Sequence, residues 1–192
     1  MQIGVFGGGF NPPHIGHLIA CEIVRQKLKL NKVIFIPTFF PPHKRIKTPF
    51  HHRVKMTELA IENNPYFSVS DIEKSLEVPS FTFRTLRELQ KRYPEDELYL
   101  IMGADELRDF NNWESPEEIL RIAKIVVLYR PGYRIIEELP RSVILLEIPL
   151  IGISSTQLRE WIREKVTVKY LIPDKVLDYI RENRLYEDMH SI

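Results

Sequence analysis

A single cysteine, Cys21, stands in 192 residues, so there is no disulfide framework and no cysteine-based zinc site. Charge of either sign is not in excess: 27 Lys plus Arg against 26 Asp plus Glu leaves +1. That balance argues against generic nucleic-acid binding through a basic surface. No apolar run approaches a membrane span, and no basic segment followed by an apolar one opens the chain. Repeats, low-complexity segments and paired-carboxylate motifs are also missing. What is present is 44% hydrophobic and 28% charged, enough for one sizeable core. A soluble, cytoplasmic chain forming a single domain over 1–192 is expected, with a helical C-terminal portion from about residue 153.

Apolar, β-branched runs alternate with segments of helical period. Strands are expected at Gln2–Phe6, Lys32–Ile36, Phe67–Ser70, Leu98–Met102, Ile125–Tyr129 and Val143–Ile148. Helices are expected at Ile15–Leu30, Arg53–Asn63, Thr82–Arg92, Pro116–Ala123, Ser155–Lys165 and Pro173–Asn183. The runs VIFI, LYLIM and IVVLY are apolar on both faces, as buried parallel strands are. The alternation predicts an α/β fold with a doubly wound, mostly parallel sheet. Ser115-Pro116-Glu117-Glu118 reads as an N-cap, a proline at the first helical position and a capping-box glutamate, and Pro173-Asp174 as a similar start. The stretch Pro37–Phe50 is proline-rich and basic, which suits a functional flap after a strand end.

The densest chemistry lies in Gly7-Gly8-Gly9-Phe10-Asn11-Pro12-Pro13-His14-Ile15-Gly16-His17, between the first strand and the first helix. Glycines let backbone amides approach a ligand, and a helix N-terminus favours phosphate. The dinucleotide fingerprint fails because its third glycine would fall at Pro12, and no Gly-Lys-Ser/Thr follows to make a P-loop. His14 and His17, three apart, can face one ligand as donors or cations; capping is the plainer alternative. Cys21 shares that face and would allow a metal, but it also fits the apolar stripe with Leu18 and Val24, and no metal site is assigned. Ser154-Ser155-Thr156 with Arg159 suits a second phosphate cradle, though capping explains one serine. Asp105, after Gly103 at a strand's carboxyl end, either holds ribose hydroxyls or caps a helix. Trp113 reads locally as core, with a stacking platform as the alternative. His43-Lys44-Arg45 on the basic loop would clamp ligand oxygens.

In order along the chain these residues resemble the nucleotidyltransferase superfamily, and within it the bacterial nicotinate-nucleotide adenylyltransferases. The resemblance rests on His14-Ile15-Gly16-His17 and Ile153-Ser154-Ser155-Thr156-Gln157-Leu158-Arg159, the superfamily's H-x-G-H and I-S-S-T-x-x-R. Family-specific marks are Pro41-Pro42-His43-Lys44, the Pro79–Leu86 segment, Gly103-Ala104-Asp105 followed by Trp113, and Arg130-Pro131-Gly132. Gly9 and Asn11 stand where the family usually has Thr or Ser, and often Asp; backbone amides remain at the first, and Asn11 still donates and accepts.

The resemblance implies a Rossmann-like fold and adenylyl transfer from ATP to nicotinate mononucleotide in NAD biosynthesis. A sister enzyme for nicotinamide mononucleotide or phosphopantetheine, and a non-catalytic nucleotide sensor, remain as alternatives. The implied catalytic residues are His14, His17 and Arg159. ATP would be held by Gly7, Gly8, Gly9, Phe10, Gly103, Asp105, Ile153, Ser154, Ser155 and Thr156. The pyridine nucleotide would be held by Lys44, Thr85, Trp113 and Arg130. Mg2+ would travel on the ATP phosphates. The implied partners are these two small molecules, with no nucleic acid and no membrane; a homodimer is allowed.

Overall fold

The structure, a computed structural model, describes residues 1–43, 45–129, 143–149 and 151–187. Lys44, Arg130, Pro131 and Gly132 therefore lie outside the described residues. Six strands form one sheet: β1 (Gln2–Gly8), β2 (Lys32–Pro37), β3 (Phe67–Val69), β4 (Glu97–Gly103), β5 (Ala123–Tyr129) and β6 (Val143–Glu147). Their order is β3-β2-β1-β4-β5-β6 and every pairing is parallel. The helices are α1 (Ile15–Lys27), α2 (Phe50–Ile61), α3 (Thr82–Arg92), α4 (Ala104–Arg108), α5 (Pro116–Ile122), α6 (Ser155–Arg163) and α7 (Asp174–Glu182).

Alternate side chains of the same strands enter different cores, as the two-residue period requires. Ile34, Ile36, Leu98, Leu100 and Met102 pack with Phe83, Leu86 and Leu89 of α3. Val33, Phe35, Tyr99 and Ile101 pack on the opposite face with Ala20, Cys21 and Val24 of α1. Both faces are thus covered, which is why these strands read as continuous apolar runs. Cys21 is fully buried in this core, and its thiol pKa is pushed up by that burial. A third cluster joins Leu158 of α6 and Val176, Leu177 and Ile180 of α7 to Met56 of α2.

Several boundaries differ from the sequence reading. Helix α1 stops at Lys27 because Lys29 turns left-handed (φ 54°) and Leu30 N–H reaches back to the Arg25 carbonyl at 2.9 Å, a Schellman ending. The capping box at Ser115 does not form. Ser115 is itself left-handed (φ 53°, ψ 55°) and makes no cap, while Glu118 turns outward to pair with Arg87 of α3 through two 2.8 Å hydrogen bonds. Pro173 sits at the cap position of α7, with Asp174 as its first helical residue. Helix α4, unforeseen, is too short for a periodic signal; Glu106 stabilises its start by accepting from Gly103 N–H at 2.8 Å. No helix among the described residues is long and apolar enough to cross a membrane.

Candidate active site

The sheet order reverses between β1 and β4, and in doubly wound sheets the crevice for ligands opens there, beyond the carboxyl ends of the strands. Two cavities occupy that position. The larger, about 270 Å³, is bounded by Gly7 and Gly8 of β1, Met102 of β4, Thr85, Trp113 and His43. The smaller, about 170 Å³, is bounded by Gly9, Asn11, His17, Ser155 and Arg159. Thr38 and Pro41 border both, so the cavities adjoin along the glycine turn.

His14 caps α1 in extended conformation (φ −142°, ψ 169°), and its N–H donates to His17 Nδ1 at 3.1 Å. The two rings stack with centroids 3.6 Å apart. Gly16 makes this possible: a Cβ there would lie 3.0 Å from His14 Nδ1. Because His17 Nδ1 accepts, the neutral ring carries its proton on Nε2. Burial lowers the His14 pKa to about 4, and burial together with the neighbouring His14 lowers that of His17 to about 3. Both rings are neutral at pH 7 in the free protein, so they are donors and not the cations the sequence allowed. Their acid limb follows. Between pH 6.5 and about 4 the unfolded chain binds protons that the folded chain refuses, so stability falls as pH drops through that window. Urea midpoints measured across it should fall less steeply in His14→Gln/His17→Gln; parallel slopes would refute the assignment.

Segments nearly 150 positions apart close around this pair. Arg159 Nη1 donates to the Asn11 carbonyl at 2.7 Å, and Ser155 Oγ donates to the Pro12 carbonyl at 2.8 Å. Ser154 caps α6 by accepting from Gln157 N–H at 3.2 Å, and Thr156 Oγ1 accepts from Arg159 Nη2 at 3.2 Å. All three hydroxyls of the Ser-Ser-Thr run thus have internal partners. Tyr186 O–H donates to Asn11 Oδ1 at 2.8 Å; burial raises its phenol pKa above the usual range, so it stays a donor. The Leu171 carbonyl takes the Ile15 N–H at 3.0 Å, and the His14 carbonyl takes that of His17 at 3.0 Å. Helix α1 therefore offers a ligand fewer free amides than its sequence suggested.

Other expected residues divide. Gly7 and Gly8 face the larger cavity. A Cβ on Gly8 would come within 3.2 Å of the Phe10 ring. Phe10 itself is left-handed (φ 43°) and its ring is buried against Phe6, Phe35 and His17. Only its backbone is free to serve a ligand. Trp113 packs on Phe110 with centroids 5.5 Å apart and also borders the larger cavity. Thr85 is buried in that cavity's wall, its hydroxyl donating to Glu73 Oε1 at 3.0 Å. Asp105 is exposed beside Arg108, and the carboxylate that stabilises the α4 start belongs to Glu106. Neither Asp105, Gly103, Ile153, Ser154 nor Thr156 borders either cavity.

Sequence reasoning missed Glu73, Glu106 and Arg53. Glu73 also accepts from Phe39 N–H at 2.9 Å, tying the root of the basic loop to α3. Glu106 borders the larger cavity with solvent access, and partial desolvation raises its pKa. These positions carry no local motif, and only the fold brings the two carboxylates to the larger cavity and Arg53 to the Gly9 carbonyl.

The cytidylyltransferase-like family model matches residues 5–161. The nicotinate-nucleotide adenylyltransferase of Bacillus subtilis (strain 168) is 40% identical over 188 residues, covering 97% of this chain and 98% of that protein. The chain belongs to the nicotinate-nucleotide adenylyltransferase family. A second member, a probable nicotinate-nucleotide adenylyltransferase of Thermus thermophilus, is 42% identical and covers 97% of this chain and 100% of its own length. Among solved structures, the Plasmodium falciparum nicotinic acid mononucleotide adenylyltransferase complexed with NaAD superposes with a TM-score of 0.82. It covers 96% of this chain and 97% of its own at 22% identity, which shows that the family's fold is shared.

Proposed function

We propose that this chain transfers the adenylyl group of ATP to nicotinate mononucleotide, giving nicotinate adenine dinucleotide and pyrophosphate. The observation that carries the reading is the pair of adjoining cavities on the glycine turn. The smaller presents His17 and Arg159, suited to phosphates; the larger presents Trp113 and apolar strand ends, suited to a pyridine ring.

The chemistry asks little of acids and bases. A phosphomonoester oxygen, already largely ionised at pH 7, attacks the α-phosphorus of ATP. A P–O bond forms, the bond between the α-phosphorus and the bridging oxygen breaks, and pyrophosphate leaves with that electron pair. Positioning and positive potential do the rest. His14, His17 and Arg159, with the amides of Gly7, Gly8, Gly9 and Phe10, would hold the triphosphate. Ser155 would position this group through its bond to Pro12. Thr85 and Trp113 would line the pyridine-nucleotide side, with Lys44 and Arg130 assigned there by resemblance. Among the described residues no cluster of three or more His, Cys, Asp or Glu side chains suits a metal. Mg2+ carried by ATP phosphate oxygens and water would neutralise charge on the leaving group.

Purified protein should form pyrophosphate only when ATP and nicotinate mononucleotide are supplied together. No product with any pyridine mononucleotide would defeat the reading. Nicotinamide mononucleotide is the second substrate to assay. Glu73 and Glu106 border the larger cavity, and their charge opposes the acid more than the amide.

A further inference from the structure

Arg53 lies in the first turn of α2, far in sequence from both phosphate-site motifs, yet its side chain is among the largest that are fully buried. Among the described residues no carboxylate forms an ion pair with it. Its guanidinium is spent on main-chain carbonyls instead. Nη1 donates to Thr38 O at 2.7 Å and to Gly9 O at 3.0 Å, and Nε donates to Thr48 O at 3.3 Å; Nη2 reaches Phe39 O at 3.5 Å. Thr38 and Phe39 are the root of the basic loop and Thr48 is its far end. The rings of Phe39 and Phe50 meet edge to face across the same neck, 5.0 Å apart. One side chain therefore clasps both ends of the loop and the glycine turn.

The bond to Gly9 also fixes a direction. In a trans peptide the C=O and the following N–H point opposite ways. With Gly9 O held inward against Arg53, the N–H of Phe10 points away from α2, and it has no partner among the described residues. Gly9, Phe10, His17 and Arg159 all border the smaller cavity. We propose that Arg53 is a positioning residue for adenylyl transfer, turning the Phe10 N–H toward the phosphates and pinning the 38–48 loop so that both cavities keep one geometry. The inference rests on the adenylyl-transfer reading for its catalytic consequence, but its structural half stands apart from it. An ammonium cannot replace the planar fork that reaches four carbonyls, so lysine is the informative substitution.

Arg53→Lys should fold and should lose about 10–100-fold in kcat, the scale expected of small misplacements remote from the reacting atoms. KM for both substrates should rise, and trypsin should cut at Arg45 or Lys47 faster than in the parent protein. A folded variant with kcat within about twofold of the parent would overturn the proposal, as would unchanged cleavage of the loop. If Arg53→Lys fails to fold, the parent protein supplies the test. Titration with inorganic pyrophosphate should shift the Phe10 backbone amide resonance, and an unmoved Phe10 amide would refute the orientation claimed for it. Parent protein inactive on every pyridine mononucleotide would refute the proposed function instead, while proteolysis and the pyrophosphate titration would still judge Arg53.

Discussion

His17→Ala is expected to lower kcat/KM by about 10²–10³-fold, the usual cost of removing one preorganised donor from a site of developing negative charge. His17 Nδ1 is committed to the His14 N–H, its ring is fixed against Phe10 and His14, and the proton is left on Nε2 beside the smaller cavity. Since the pKa of the free form is about 3, the imidazole acts as a neutral donor that needs no protonation to be competent. The loss should therefore be similar from pH 6 to pH 9, without an inflection near 6.5. His17→Gln, which keeps an N–H, should recover part of the rate. Steady-state kinetics across pH decide it, with circular dichroism as the control for folding. A folded His17→Ala protein within about threefold of the parent would sink the proposed role.

Arg159→Ala should cost a comparable 10²–10³-fold in rate and, unlike His17→Ala, also loosen the fold. Arg159 does two things with one guanidinium. It borders the cavity assigned to phosphates, and it holds the Asn11 carbonyl at 2.7 Å, tying α6 to the turn that carries the histidines. A hydrogen bond from a charged group contributes about 1.5–3 kcal/mol; the half-buried setting places this one toward the lower figure. Arg159→Lys should keep the charge yet lose the bridge, because one ammonium cannot serve Asn11 and Thr156 while facing a ligand. The expected order of kcat/KM is parent, Lys, Ala, with both variants melting below the parent. If Arg159→Ala melts lower but turns over at the parental rate, its role is only to fasten the turn.

Much of this protein could be read in one dimension. The six strands follow from apolar, β-branched runs, and the four central ones, β2, β1, β4 and β5, are buried on both faces, because a parallel strand covered by helices has no solvent side to mark with polar residues. The pairing of His14 with His17 and the need for Gly16 are local as well: three residues along a helix start set the stacking, and the space for it is the side chain glycine lacks. Ser115 and Glu118 matched a capping box, but the left-handed turn at Ser115 and the pull of Arg87 on α3 overrode it.

In sequence the opening stretch resembles a generic phosphate turn with histidines able to carry charge and free helix amides. Tertiary packing changed both terms. Burial holds the imidazoles neutral, and the Leu171 carbonyl occupies the first amide of α1. Sequence alone determined the sheet, the glycine turn and the residue types proposed to face phosphate, since each is fixed by periodicity or by contacts within a few positions. Only the folded chain decided which donors remain available. That choice depends on partners far away along the chain, with Arg53 against Gly9, Arg159 against Asn11 and Tyr186 against Asn11, and no local pattern encodes such meetings.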